Sequence, residues 1–129
     1  MSESFTKRTR PPFRYDIVGS FLRPQRLKAA RSELAQGKIT PSQLTLTEDE
    51  CILDLVEKEI AAGLHSVTDG EFRRSYWHLD FMWDFDGIEH NVLEHGYFFH
   101  GEETRADSAR VCGKIKHTSH PFLGHFRFL

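Results

Sequence analysis

Asp69, Glu71, Arg73 and Arg74 crowd around Gly70, directly after the apolar, β-branched stretch Leu64 to Thr68. Gly70 permits the positive φ that turns a carboxylate back toward the end of the preceding segment. A carboxylate placed there could bind a substrate ammonium group or act as a base. The two guanidinium groups beside it could recognise a carboxylate or phosphate through a planar fork. The plainer alternative is a surface turn in which Asp69 caps the next helix. Arg73 and Arg74 would then pair with Asp69, Glu71 or Asp80, at little gain if exposed.

A second candidate is Ile17-Val18-Gly19-Ser20, where an apolar run again stops at a glycine. Backbone N–H groups and a hydroxyl at such a point can hold an anionic oxygen in a small nest. One Gly-Ser pair is a weak signal by itself. The histidines carry less. His90, His95 and His100 are spaced by five, wrong for one helical face, and His117, His120 and His125 lack a Cys or Glu partner at a zinc-ligand spacing. They read as solvated or packing residues. Cys51 falls inside a helical pattern and reads as core, and Cys112 has no neighbouring base to activate it.

The elements that position these residues follow from periodicity. Asp16-Ile17-Val18 reads as a short buried strand ended by Gly19-Ser20. Pro24 suits a first helical turn, Leu27, Ala30, Leu34 and Ala35 recur at helical spacing, and Gly37 closes the helix. Pro41 to Leu44 suggests a second short helix. Thr47-Glu48-Asp49-Glu50 has the form of a capping box that opens a third, with Ile52, Leu55, Val56 and Ile60 as its apolar stripe and Gly63 as its stop. Leu64 to Thr68 reads as a second buried strand. Strand, helices and strand make one parallel crossover unit. Both glycine turns fall at the C-terminal strand ends, the edge where barrels and open parallel sheets bind ligands.

Beyond Glu71, residues 75–85 predict a helix with Trp77, Phe81 and Phe85 on one face, ended by Gly87. Tyr97–His100 and Arg110–Ile115 predict a hairpin with the charged 101–107 stretch as its loop. His120-Pro121 predicts a final helix through Phe128.

The 129 residues suit one domain with a real core. A net charge of −2 argues against a nucleic-acid partner. The first 26 residues are locally basic, with Lys7, Arg8, Arg10, Arg14, Arg23 and Arg26 against Glu3 and Asp16. Residues 1–12 read as a flexible leader and 13–129 as the folded part. Eleven Phe fit a packed interior. Two cysteines without CxxC spacing, no signal peptide and no long apolar run point to the reducing cytoplasm and away from a membrane.

Asp16-Ile17-Val18-Gly19-Ser20-Phe21-Leu22-Arg23-Pro24, with Ala62-Gly63-Leu64, Val67-Thr68-Asp69-Gly70-Glu71-Phe72-Arg73-Arg74-Ser75 and Trp77-His78-Leu79-Asp80-Phe81, resembles the cobalamin-independent methionine synthase family. The resemblance is nearest to the short, single-barrel branch of methionine synthase II-like proteins. It covers roughly residues 11–129 and rests on two motifs in the right order. It implies an α/β fold, the N-terminal portion of an incomplete (β/α)8 TIM-type barrel: two parallel strands with crossover helices, then a β-hairpin insertion. It implies methyl transfer from 5-methyltetrahydrofolate to the thiol of homocysteine, with zinc binding that thiol and lowering its pKa.

In the family, the groups matching Val18-Gly19-Ser20 hold the amino-acid part of homocysteine, and the carboxylate matching Glu71 takes its ammonium. Asp69 and Arg74 would support them from beside the turn. Asp69 stands where longer members carry His. The resemblance also implies zinc ligands, a His-x-Cys pair, a Glu and a later Cys in the second barrel half, and the sequence contains none of them. A full barrel needs about 250 residues. The chain is therefore expected to be inactive alone, as a truncated part of a parent enzyme. Related zinc-dependent epoxide-to-thiol transferases share these N-terminal motifs. A half-barrel with bare apolar faces could also persist as a self-associating, non-catalytic homo-oligomer.

Overall fold

A computed structural model describes residues 9–13 and 17–129. Most of the expected leader, and Asp16 of the first expected strand, lie outside the described residues. The chain forms two compact units, Met1–Arg73 and Arg74–Leu129. Among the described residues no helix is long and apolar enough to cross a membrane.

The first unit is built on two helices, α1 (Gln25–Ala35) and α2 (Pro41–Ala61). Pro24 is the N-cap of α1. Both helices end in the same way. Beyond α1, Gly37 N–H returns to Leu34 C=O and Lys38 N–H to Glu33 C=O; beyond α2, Gly63 bonds Ile60 and Leu64 bonds Glu59. This is the Schellman closure, and it requires the left-handed backbone at Gly37 (φ 69°) and Gly63 (φ 86°).

Residues 41–61 are one helix, not two. The capping box sits at Thr40, whose side chain accepts from Gln43 N–H while Gln43 reaches back to Thr40 N–H. Pro41 occupies the first helical position, where its missing N–H costs nothing. Thr47, expected to start a helix, lies inside α2 and donates its hydroxyl to Gln43 C=O. Thr47 and Glu50 have capping-box spacing, yet an upstream Thr with Pro behind it nucleates the helix earlier.

The core of this unit is Leu27, Cys51, Ile52, Leu55 and Phe72, with Phe21, Leu44 and Val56 packed against it. Burying each large apolar side chain contributes about 1.5–3 kcal/mol. Ile60, expected on the apolar stripe, is 60% exposed, and Glu48 and Glu59 lie on the buried face instead.

The two expected parallel strands are not strands here. Residues 17–20 and 64–69 run as irregular connections, and Val18 is 94% exposed where a buried strand was expected. The physical reason at the second segment is visible: the N–H of Thr68 goes to the Glu59 carboxylate, not to a strand neighbour. Just beyond these segments, Phe21 N–H donates to Gly70 C=O at 3.1 Å.

In the second unit, α3 (Leu79–Trp83) is followed by β1 (Asp86–Val92), β2 (Phe98–Phe99), β3 (Glu102–Glu103), β4 (Asp107–Lys116) and α4 (Pro121–Phe128). The expected helix over 75–85 shrinks to α3: Phe81 and Phe85 still meet, 5.1 Å between ring centroids, but Trp77 lies outside it and is 72% exposed.

The expected pairing of 97–100 with 110–115 is also corrected. β4 pairs antiparallel with β1, and β2 pairs with β3. His100 (φ 49°) and Gly101 (φ 87°) form the two-residue turn between Phe99 and Glu102. Two consecutive positive φ values match the twist of a tight hairpin, so Phe98 and Phe99 find partners locally. Glu89 and Arg110 stand opposite each other and form an ion pair.

α4 spans the predicted range. His120 caps it through Nδ1, which accepts Phe122 N–H at 3.2 Å, while Nε2 donates to Phe81 C=O at 2.9 Å.

Candidate functional site

The turn at residues 68–72 is held from every side within the first unit. Thr68 donates its N–H to Glu59 Oε2 at 3.0 Å and its hydroxyl to Oε1 at 3.3 Å. The same hydroxyl accepts Gly70 N–H at 3.1 Å. Asp69 Oδ1 accepts Glu71 N–H at 2.9 Å, and Asp69 C=O accepts Phe72 N–H at 3.1 Å. Asp69 thus supports the turn from within, as an Asx-type acceptor.

Gly70 and Glu71 both take the left-handed backbone, at φ 61° and 58°. At Gly70 the space is closed as well: an added Cβ would lie 2.5 Å from Leu55 Cδ2 and 3.3 Å from Phe21 Cβ. Glycine at 70 is favoured by its torsion, and an added Cβ would also require the end of the Leu55 side chain to shift. For Glu71 the left-handed region carries a cost of order 1–2 kcal/mol. Such residues concentrate at functional sites.

The segment carrying Gly19 and Ser20 comes to this turn. Phe21 N–H reaches Gly70 C=O, and Arg23 donates from its guanidinium to Glu71 C=O at 2.8 Å. Gly19 has φ 93°, and Gly19 and Ser20 are exposed. The chain just after Gly19-Ser20 thus meets the turn through one backbone bond from Phe21 and one side-chain bond from Arg23.

Arg74, expected beside Glu71, opens the second unit, where its guanidinium lies 5.4 Å from the centroid of the Phe122 ring. Arg73 reaches the other way, to Glu48 at 3.4 Å and Asp49 at 2.5 Å on α2. Glu48 and Asp49 are not among the sequence neighbours expected to pair with it.

Arg31 completes this second layer. It donates to Phe72 C=O at 2.5 Å and pairs with Glu48 at 3.5 Å. Burial pushes the Glu48 carboxyl up, against the pull of Arg31 and Arg73. Sequence reading missed Glu48, Glu59, Arg23 and Arg31. A signal was present for the first two. Glu48, Ile52, Leu55 and Glu59 recur at three- and four-residue spacing, so both carboxylates fall on the apolar stripe of α2.

The second unit holds a polar cluster of its own. Asp107 accepts the Tyr76 hydroxyl at 2.5 Å and pairs with His90 Nε2 at 2.6 Å. Arg105 Nε donates to the Tyr76 hydroxyl at 2.7 Å. The bonds from Tyr76 and His90 hold the Asp107 carboxyl below its ordinary range, and desolvation pushes Tyr76 up. Every member serves a neighbour within the cluster, which fastens residues before α3 to β1 and to the start of β4.

Among the described residues, no group of three His, Cys, Asp or Glu side chains is placed to hold a metal ion. The residues present do not fit the zinc ion that the resemblance implies, so no step is derived through it.

No family model matches the chain. Two proteins of Bacillus subtilis (strain 168), both designated uncharacterized, are similar to it. YxjH is 47% identical and YxjG 45% identical over 123 residues, 95% of this chain but 33% and 32% of theirs. The chain thus spans about a third of the length of the curated relatives it matches. A crystal structure from Listeria monocytogenes, of a protein provisionally designated a vitamin-B12-independent methionine synthase, is similar at a TM-score of 0.72. The sequences are 41% identical, over 91% of this chain and 31% of that one. The chain is a mixed α/β structure similar to part of that protein.

Proposed function

We propose that this chain is the N-terminal part of a barrel of the cobalamin-independent methionine synthase type, in its short branch, and carries the amino-acid-holding half of a homocysteine site. The observation that carries this reading is the Gly70-Glu71 turn, with a charged residue kept in left-handed backbone and Phe21 and Arg23 bonded to its carbonyls. Strain that a Gly would relieve is accepted at Glu71, and a carboxylate is what an α-ammonium group needs. Val18, Gly19 and Ser20 would face the carboxylate end of the same substrate through backbone N–H groups and the Ser20 hydroxyl.

In this reading the parent-length protein transfers a methyl group from 5-methyltetrahydrofolate to homocysteine in the cytoplasm. The zinc that activates the thiol would be held by residues of the longer protein. The chain alone would bind the amino acid weakly and turn nothing over.

Two measurements test this. The 129-residue chain and a protein of the relatives' length are assayed for methyl transfer and zinc content, with homocysteine and with other thiols as acceptors. Turnover and one zinc per chain are expected only in the long form, with homocysteine preferred. Turnover by the short chain, or preference for another thiol, overturns the reading.

A self-associating form has its own support: Leu46, Leu53 and Ile60 of α2 are 63%, 53% and 60% exposed. Such apolar surface favours association. Light scattering that finds a monomer across concentration rejects it.

A further inference from the structure

The geometry points to Glu59 and Thr68 as positioning residues for the Glu71 carboxylate, an inference that rests on the ammonium-binding role given to Glu71 above. Glu59 is 2% exposed, deep on the packed face of α2. A carboxylate is costly to bury unless its oxygens are hydrogen-bonded. Both oxygens are satisfied by one residue, Thr68, through its N–H and its hydroxyl. This leaves the hydroxyl's lone pairs for the chain ahead, and Gly70 N–H donates into them. The order of donors and acceptors therefore runs one way, from Gly70 to Thr68 to Glu59, and stops one residue before Glu71.

The helix does not need the Glu59 side chain for its own closure. The Schellman bonds at Gly63 and Leu64 already satisfy α2, with the Glu59 backbone carbonyl among them. The side chain is spent on the turn. Since Gly70 (φ 61°) and Glu71 (φ 58°) are both left-handed, the direction of the Glu71 side chain depends on the bonds that hold this backbone. The Thr68 hydroxyl and Asp69 Oδ1 supply them from either side. The ligand class served is a primary α-ammonium group.

Thr68→Val keeps the shape and the Thr68 N–H bond but deletes the hydroxyl. Thr68→Ser restores it. In the free chain, exchange of the Gly70 amide hydrogen is expected to accelerate roughly three- to tenfold in the valine variant and to return to wild-type rate in the serine variant. Homocysteine affinity, read by NMR titration, should fall by a similar factor in the valine variant. Affinity for 4-mercaptobutyrate, which lacks the ammonium, should not change.

Unchanged Gly70 exchange in Thr68→Val overturns the proposal. So does equal loss of both ligands, and so does failure of serine to rescue. Glu71→Gln, titrated in parallel, isolates the underlying reading. If wild type does not prefer homocysteine to 4-mercaptobutyrate, or Glu71→Gln keeps that preference, the ammonium role fails. Gly70 exchange still decides by itself whether the hydroxyl holds the turn.

Discussion

Gly70 and Glu71 share one backbone conformation and answer to it in opposite ways. Gly70 fits because it has no Cβ: a methyl there would strike Leu55 and crowd Phe21. Gly70→Ala should destabilise the first unit by about 1–3 kcal/mol, since torsional strain and overpacking act together. Urea unfolding checks this; a change under roughly 0.5 kcal/mol would mean the core yields more easily than its packing suggests. Glu71 accepts strain that glycine would not feel. Glu71→Gly should therefore leave stability within about 1 kcal/mol of wild type, or raise it, while the preference for an ammonium-bearing ligand disappears. Loss of stability well beyond that would assign Glu71 to structure and weaken its proposed role.

Helix α2 begins at its proline and not at the later Thr47-Glu50 pair, and this can be read by mutation. Thr40→Ala removes the capping interaction and should cost about 1 kcal/mol, whereas Thr47→Ala should cost less than roughly 0.5 kcal/mol. Equal effects would contradict the single-helix geometry. The two units should also answer acid in opposite senses. Glu48 in α2 has a raised pKa. Its contribution to stability is fully present below the ordinary value of 4.5 and is lost as pH rises through the folded value. Asp107 in β4 has a lowered pKa. Its contribution is present above the ordinary 3.8 and is lost as pH falls through the folded value. Relative to Glu48→Gln, wild type should lose ground as pH rises above 4.5; relative to Asp107→Asn, it should lose ground as pH falls below 3.8. Thermal melts across pH for both pairs provide the comparison, and the same sign in both would refute the assigned causes.

The chain as a whole is a mixed α/β structure that matches about a third of its relatives' length. Its first unit gathers the proposed amino-acid-binding residues, and its described residues offer no metal-binding cluster. Adding zinc to the 129-residue chain should not raise its melting temperature, because a ligand stabilises only a fold that binds it. A rise that saturates at one equivalent would reveal a metal site made by this chain alone.

Much of the local architecture was legible along the chain, because its causes are local. Gly37 and Gly63 mark helix ends through their backbone freedom. Leu27, Cys51, Ile52 and Leu55 mark a core through spacing, and His120-Pro121 marks the start of α4. The Gly70 turn was legible for the same reason. What the sequence left open depended on partners distant in the chain. β1, Asp86–Val92, has little apolar patterning, and only its pairing with β4 makes it a strand. Leu64 to Thr68 has strand composition, yet Glu59 takes the N–H of Thr68. Arg73 lies beside Glu71 in sequence and pairs with α2 in space. The sequence by itself determined where helices start and stop and that the 69–71 turn carries a carboxylate on special backbone. Only the tertiary structure decided what holds that carboxylate, since hydrogen bonds and ion pairs are settled by which groups packing brings within reach.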